Sequence, residues 1–272
     1  MKGFLILGLK LIEGWPVVLV EKPIKTLLIS DLHFGFEAEF ADKGVRIPSQ
    51  AWRLHDLMLE LIEGTDAEKL IILGDLKHMV PLSSWIEWRE MPEVLRTLKN
   101  MDVDLALIPG NHDGGIEHML GDLVTIFSSK GVMLDAEKKI YLLHGHTWPS
   151  QEVLKADLII MGHLHPMVSL RTDVGSVARR RTWLIFEGDK KILAEKLAAK
   201  EKHGSIELIV MPAFNPILTG LSVNALTPRD KLWPLIRSGA FNLDSGEAIT
   251  LNGERLGKIG FLRKFFMEEY EA

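Results

Sequence analysis

Short, nearly continuous apolar runs alternate with amphipathic stretches along the chain. Val17–Val20, Thr26–Ser30, Leu70–Leu73, Leu105–Pro109, Ile140–Leu143, Leu158–Met161, Met167–Leu170, Thr182–Phe186 and Ile206–Met211 read as strands. Two helices lie between the early ones. From Ser49 to Glu63, the side chains of Leu54, Leu57, Met58, Leu61 and Ile62 fall on one face, and Gly64 supplies a stop. Trp85 to Met101 reads as the second helix. The alternation is that of a layered α/β domain. With no internal repeat and no low-complexity linker, residues 1–272 read as a single domain.

Five of the runs end in polar signatures: Ser30-Asp31-Leu32-His33, Gly74-Asp75, Gly110-Asn111-His112-Asp113, His144-Gly145-His146 and Gly162-His163-Leu164-His165. Each sits just beyond the carboxyl end of its strand, where open α/β sheets bind ligands, so the five are expected to converge. Seven of the ten histidines, at positions 33, 78, 112, 144, 146, 163 and 165, fall in or beside them. A lone strand-end histidine is ordinarily structural; a set that repeats strand, turn and metal-capable side chain five times points to a shared site. Asp31, His33, Asp75, Asn111, His144, His163 and His165 offer three oxygen donors and four imidazoles. One octahedral ion does not need seven ligands, whereas two ions sharing Asp75 would use about that many and leave positions open for water and substrate.

Composition narrows the chemistry. Cysteine is absent, so disulfides and thiolate metal sites are excluded and any ion must be held by nitrogen and oxygen. That donor set suits Mn, with Fe or Zn as alternatives. Apolar residues are 47% and charged residues 25%, a globular balance, and the net charge of −5 argues against bulk coating of nucleic acid. Gly3–Leu9 faintly imitates a leader, but Lys10 breaks the apolar run and no small-residue cleavage site follows, so a buried strand and a cytoplasmic protein are expected. No stretch approaches the ~20 apolar residues of a membrane span.

The ordered signatures Asp-x-His, Gly-Asp, Gly-Asn-His-Asp, His-Gly-His and Gly-His-x-His resemble the calcineurin-like metallophosphoesterase superfamily. The resemblance implies a four-layer α/β/β/α sandwich of two mixed β-sheets flanked by helices. It implies one divalent ion held by Asp31, His33 and His165, a second held by Asn111, His144 and His163, and Asp75 between them. His112 would be the proton donor to the leaving group, Asp113 its orienting partner, and a metal-activated hydroxide the nucleophile. His146 would lie behind the ligands without binding metal. Ser30-Asp-Leu-His-Phe-Gly-Phe-Glu37, Gly44-Val-Arg-Ile-Pro48, Gly74-Asp-Leu-Lys-His78 and Met211-Pro-Ala-Phe-Asn-Pro216 are similar to archaeal phosphoesterases related to the SbcD nuclease and to bacterial DNA-ligase-associated metallophosphoesterases. Many phosphatases of the superfamily carry Asp where this chain has His78. The histidine is the nuclease-like choice and implies a phosphodiester substrate, with His78 near the scissile phosphate.

Residues 179–202 hold eight Lys/Arg against four acids, a net +4 that leaves −9 for the rest of the chain. We read a basic insertion over about 172–204. Its helical half fits an ordinary solvated face, whereas Arg179, Arg180 and Arg181 suit phosphate contact. No run of interleaved aromatics marks a single-strand binder. The expected function is therefore a two-metal phosphodiesterase acting on nucleic acid, a DNA nuclease in a repair setting among DNA-repair proteins. A phosphodiesterase or phosphatase of small nucleotides is the alternative. A scaffold that has lost catalysis should lack a ligand or the proton donor, and neither is missing.

Overall fold

The apolar runs build two sheets in the computed structural model, which describes residues 1–80, 83–172, 176–226 and 233–268. The first sheet is laid out in chain order: β1 (Gly3–Ile6), β2 (Leu9–Ile12), β3 (Val18–Val20), β4 (Thr26–Ile29), β5 (Lys69–Ile72), β6 (Asp104–Leu107) and β7 (Thr125–Ile126). Its β1–β4 half is antiparallel and its β4–β7 half parallel. The parallel half needs crossovers, which α1 (Ala38–Asp42), α2 (Ala51–Thr65) and α3 (Trp85–Lys99) supply. The second sheet contains β8 (Val132–Leu134), β9 (Ile140–Leu143), β10 (Leu158–Met161), β11 (Pro166–Arg171), β12 (Val177–Asp189), β13 (Ser205–Val210), β14 (Leu221–Ser222), β15 (Glu247–Thr250) and β16 (Arg255–Lys258). Helices α4 (Glu117–Leu120), α5 (Lys190–Lys196), α6 (Pro234–Arg237) and α7 (Ile259–Glu268) complete the described α-helices.

Three apolar layers follow from strand alternation. Leu27 and Ile29 face α2 and α3, whereas Leu28 faces the other sheet, where it joins Ile71, Ile160, Ile209 and the fully buried Trp183. On the far side, Ile159, Leu184 and Leu208 pack against Leu193 of α5 and Leu235 of α6. Helices, sheet, sheet, helices: this is the four-layer α/β/β/α arrangement. No helix among the described residues is long and apolar enough to cross a membrane.

Several details depart from expectation. Gly64 does not stop α2; the helix runs to Thr65 and is capped by Asp66 in a left-handed conformation, φ 52°. Met1 packs over Gly64, its nitrogen donating to the Gly64 carbonyl at 3.0 Å. The expected buried strand at Gly3–Leu9 is a sheet edge that turns back at Leu7-Gly8, and Leu5 is 74% exposed. The basic segment 172–204 is woven into the second sheet: its thirteen-residue β12 pairs with β11, β13 and β15, and α5 follows. Residues 173–175 of that segment lie outside the described residues.

Candidate metal centre

The parallel strands β4, β5 and β6 of one sheet and β9 and β10 of the other end at the same rim, and their following residues cross the gap between the sheets. His144 directs Nδ1 at the Leu73 carbonyl at 2.7 Å, and His165 Nε2 lies 3.1 Å from Asp31 Oδ1. The turns that present these side chains are tight. Asp31, His33, Asp75, His163 and His165 all have positive φ, between 46° and 72°. Such conformations cost non-glycine residues on the order of 1–3 kcal/mol each and persist where surrounding contacts impose them. Here the imposing contacts are backbone bonds such as Asp31 N to Gly74 O and His33 N to Asp75 O. Two glycines permit the close approach: a Cβ at Gly74 would enter the His144 ring, and one at Gly110 would overlap the Asp75 carboxylate.

Three groups of possible ligands result, and His33, His78 and His112 form one of them. Asp31, His33, Asp75 and His165 bring one donor atom each within 4.8 Å of one another, and so do Asp75, His144 and His163. Asp75 belongs to both of these clusters. Within the clusters Asp75 Oδ2 lies 3.2 Å from His144 Nε2 and 3.5 Å from His33 Nε2. The buried Nε2 atoms of His33 and His165 make no well-aligned hydrogen bond among the described residues, although Asp75 and Asp31 carboxylate oxygens stand 3.5 and 3.1 Å away. Buried polar atoms left without partners are costly, and imidazole nitrogens aimed at two buried carboxylates are what a divalent cation requires. The residues therefore fit two nitrogen- and oxygen-bound ions, with Asp75 in the shared position.

Electrostatics prepare the ligands unevenly. Burial holds His33 down at about 3, against the pull of Asp75 and Asp31, and keeps His163 at about 4, helped by the cationic His144. These imidazoles are neutral and ready to ligate. For His144, burial also works against protonation, but Asp75 outweighs it and lifts the group to about 9. His165 is likewise raised, burial being outweighed by Asp31. Both carboxyl groups stay below the ordinary range, since the neighbouring histidines overcome the burial that would raise them. In the metal-free protein the His144–Asp75 pair thus stabilises the fold fully below the ordinary histidine value of 6.5, and that contribution is lost as pH rises through about 9. Metal binding must displace the same protons. Affinity for the ions is expected to rise with pH up to about 9, with proton release on binding. Calorimetric titration in buffers of different ionisation heat measures that release, and a pH-independent affinity with no release contradicts it.

The proton donor expected from the sequence is placed differently from its expected partner. His112 donates its amide to Asp75 Oδ1 at 2.9 Å, and its Nδ1 meets the carbonyl of His78. A carbonyl only accepts, so Nδ1 carries the proton and Nε2 is the atom that can gain or lose one. Asp113 does not touch the ring. Its Oδ1 accepts from the amides of Leu76 (2.9 Å) and Lys77 (3.1 Å), and its Oδ2 from Gly110 (2.8 Å). Burial and the nearby Asp75 raise its carboxyl to about 6. The contact with the ring expected of Asp113 is made by the His78 carbonyl, and Asp113 instead ties the Asp75 turn to the Asn111 turn.

The His78 side chain, grouped with His33 and His112, has both ring nitrogens engaged. Nδ1 is 3.0 Å from His33 Nδ1, and Nε2 is 3.2 Å from Glu39 Oε1. If Nε2 of His78 donates to the carboxylate, its Nδ1 must accept, so His33 carries its proton on Nδ1 and leaves Nε2 bare, as ligation of a metal would need. The relay predicts that Glu39→Ala weakens metal binding roughly 10- to 100-fold. Glu39→Gln, whose amide oxygen still accepts, should restore most of it. Calorimetry on the three proteins checks this, and an Ala variant with full affinity sinks the relay.

The remaining residues complete the rim. Asn111 is exposed in the turn between Gly110 and His112. His146 lies 5.3 Å, ring to ring, from His144 and 6.1 Å from His163, outside both clusters, and burial lowers it to about 4. Arg179 and Arg180 are exposed, whereas Arg181 is half-buried and donates to the Ala213 carbonyl at 3.2 Å. Sequence reasoning missed four supporting side chains. Ser30 donates to Asp31 Oδ2 at 2.6 Å, and Asn215 Nδ2 to the Leu32 carbonyl at 2.8 Å. Glu87 holds the amides of His78 and Met79 while closing the capping box of α3 with Ser84. Ser30 and Asn215 stand inside the quoted motifs and were findable there; Glu39 and Glu87 carry no local signal.

Comparison with known proteins agrees with this geometry. The family described as the calcineurin-like phosphoesterase superfamily domain matches residues 24–195. Phosphodiesterase YfcE of Escherichia coli (strain K12) is 25% identical over 121 residues, a match spanning 43% of this chain and 65% of that protein. The crystal structure of the Pseudomonas putida nuclease MPE superposes with a TM-score of 0.55 at 18% identity, covering 94% of this chain and 99% of the other.

Proposed function

The chain belongs to the calcineurin-like phosphoesterase superfamily, and from that premise we propose that it is a two-metal phosphodiesterase that cuts nucleic-acid strands, a DNA nuclease of repair. The observation that carries the two-ion reading is Asp75, which stands in both ligand clusters. Divalent ions held there, Mn²⁺ foremost, would supply Lewis-acid charge at the phosphoryl oxygens and a water of lowered pKa. The chain's own residues do the rest. His112, fixed through Nδ1 by the His78 carbonyl, offers Nε2 to the departing oxygen. Asp113 and Glu87 lock the backbone on which His112 and His78 ride.

A strand substrate is supported by a feature that the linear sequence conceals. Trp85 and Trp88, 71% and 53% exposed, stand three residues apart in the first turn of α3, and Arg89 lies 5.6 Å from the Trp85 ring centre. Glu87 between them accepts from the His78 amide and is bonded to Ser84, so the helix start that carries the two indoles is tied to the turn of His78. Exposed aromatics beside a phosphate site can stack on unpaired bases, worth about 1–3 kcal/mol per base.

The test is direct. With Mn²⁺ the purified protein should hydrolyse bis-p-nitrophenyl phosphate and cleave single-stranded or stem-loop DNA, and hold close to two ions per chain. Cleavage confined to cyclic mononucleotides would overturn the nuclease reading. One ion or none per chain, in protein kept from chelators, would overturn the two-metal reading.

A further inference from the structure

A cavity of about 500 Å³ opens beside β11 and β12, lined by Arg179, Arg180, Arg181, Met167, Leu218 and Asn252 among others. Three consecutive arginines share its lining. Two arginines elsewhere meet acids, Arg255 with Glu247 and Arg263 with Asp244. The hydrogen bonds of Arg180 and Arg181 run to backbone carbonyls, and none of the three guanidiniums has a carboxylate partner among the described residues. The acid in the lining, Glu254, is turned to Thr250, with 3.4 Å between its Oε2 and the hydroxyl. Arg179 and Arg181 project from the same face of β12, two positions apart. Holding like charges together without counter-charge is unfavourable, and a bound anion would relieve it.

The position of the cavity says which anion. Arg181 stands opposite Met167, which is two residues beyond the ligand His165, a step of about 7 Å along an extended strand. Arg181 also holds the Ala213 carbonyl, while the next residues brace the first ligand turn: Phe214 N donates to Ser30 O at 2.7 Å, and the Asn215 side chain donates to Leu32 O. The cavity and the metal rim therefore share a wall, separated by a distance comparable to the step between neighbouring phosphates.

We propose that this cavity is a phosphate subsite that grips the backbone of a nucleic-acid strand next to the scissile phosphate, an inference that rests on the phosphodiesterase reading above. Guanidinium forks match phosphate oxygens in pairs, and Met167 and Leu218 give a sugar an apolar wall. The consequence is selectivity for substrates with more than one phosphodiester. A mononucleotide or bis-p-nitrophenyl phosphate carries a single phosphate and cannot occupy rim and cavity together.

The experiment uses the Arg179→Ala/Arg180→Ala double variant, both side chains being exposed, and leaves Arg181 in place to hold Ala213. Binding of a short fluorescent single-stranded oligonucleotide is followed by anisotropy in chelator across a salt series. The ratio of kcat/KM for that strand to kcat/KM for bis-p-nitrophenyl phosphate is then measured in Mn²⁺. The expected result is a tenfold or greater fall in that ratio, weaker strand binding, and a salt slope shallower by about 2. An unchanged ratio and slope, or a mononucleotide bound as tightly as the strand, would overturn the subsite. The two readings fail separately. Wild-type protein that binds the strand through these arginines but hydrolyses no diester keeps the subsite and loses the phosphodiesterase. Hydrolysis with arginine-independent strand binding does the reverse.

Discussion

Replacing Asp75 by asparagine is expected to empty both metal positions at once. The substitution keeps shape and removes charge, and Asp75 is the ligand common to the two clusters. It also removes the carboxylate that holds His144 at about 9. Bound ions contribute several kcal/mol of transition-state stabilisation, so the loss in kcat/KM should be roughly 10³-fold or more. Stability should separate the variant from a merely slow enzyme. Mn²⁺ at about 100 times its dissociation constant stabilises a native protein by about 2.7 kcal/mol, a rise of several degrees in Tm for a chain of this size. The variant should show no such rise. A variant that still binds two ions, by elemental analysis, would show that Asp75 does not bridge.

His112→Ala should behave in the opposite way, binding both ions while losing turnover. A positioned general acid contributes about 10²- to 10⁴-fold, and the size of the loss should track the leaving group. An alkoxide leaving a DNA strand needs a proton; p-nitrophenolate departs without one. The expected loss is therefore near the upper figure on oligonucleotides and much smaller on bis-p-nitrophenyl phosphate. Equal losses on both substrates would assign His112 to phosphate binding instead. Because Nδ1 faces the His78 carbonyl, His112→Gln cannot recover the loss, having no titratable nitrogen to offer.

The two predictions use residues of different legibility. Asp75 could be picked out because it directly follows an apolar run, and the order of strands places such residues at one rim. The nine expected strands all appear because each is buried by its own composition. What composition did not mark was missed: β16, Arg-Leu-Gly-Lys, has no alternation of its own and exists through pairing with β15. Most of the chain beyond Met211 was silent for the same reason. Asp113 shows a second limit. Its neighbour in sequence, His112, made a catalytic partnership the natural expectation, yet the turn points the carboxylate at three backbone amides. Glu39 shows a third, since its meeting with His78 depends on how α1 lies over the β5 turn, and no local pattern encodes that.

The division of the ligands between the sheets has a consequence for assembly. Asp31, His33 and Asp75 follow strands of the first sheet, and His144, His163 and His165 follow strands of the second, so neither cluster is complete in either half. A folding intermediate with one sheet formed would have fragments of two coordination shells and the use of neither. Catalysis can switch on only at the last stage of maturation, when the halves have docked in register. A phosphoesterase built this way would be inert until it is whole.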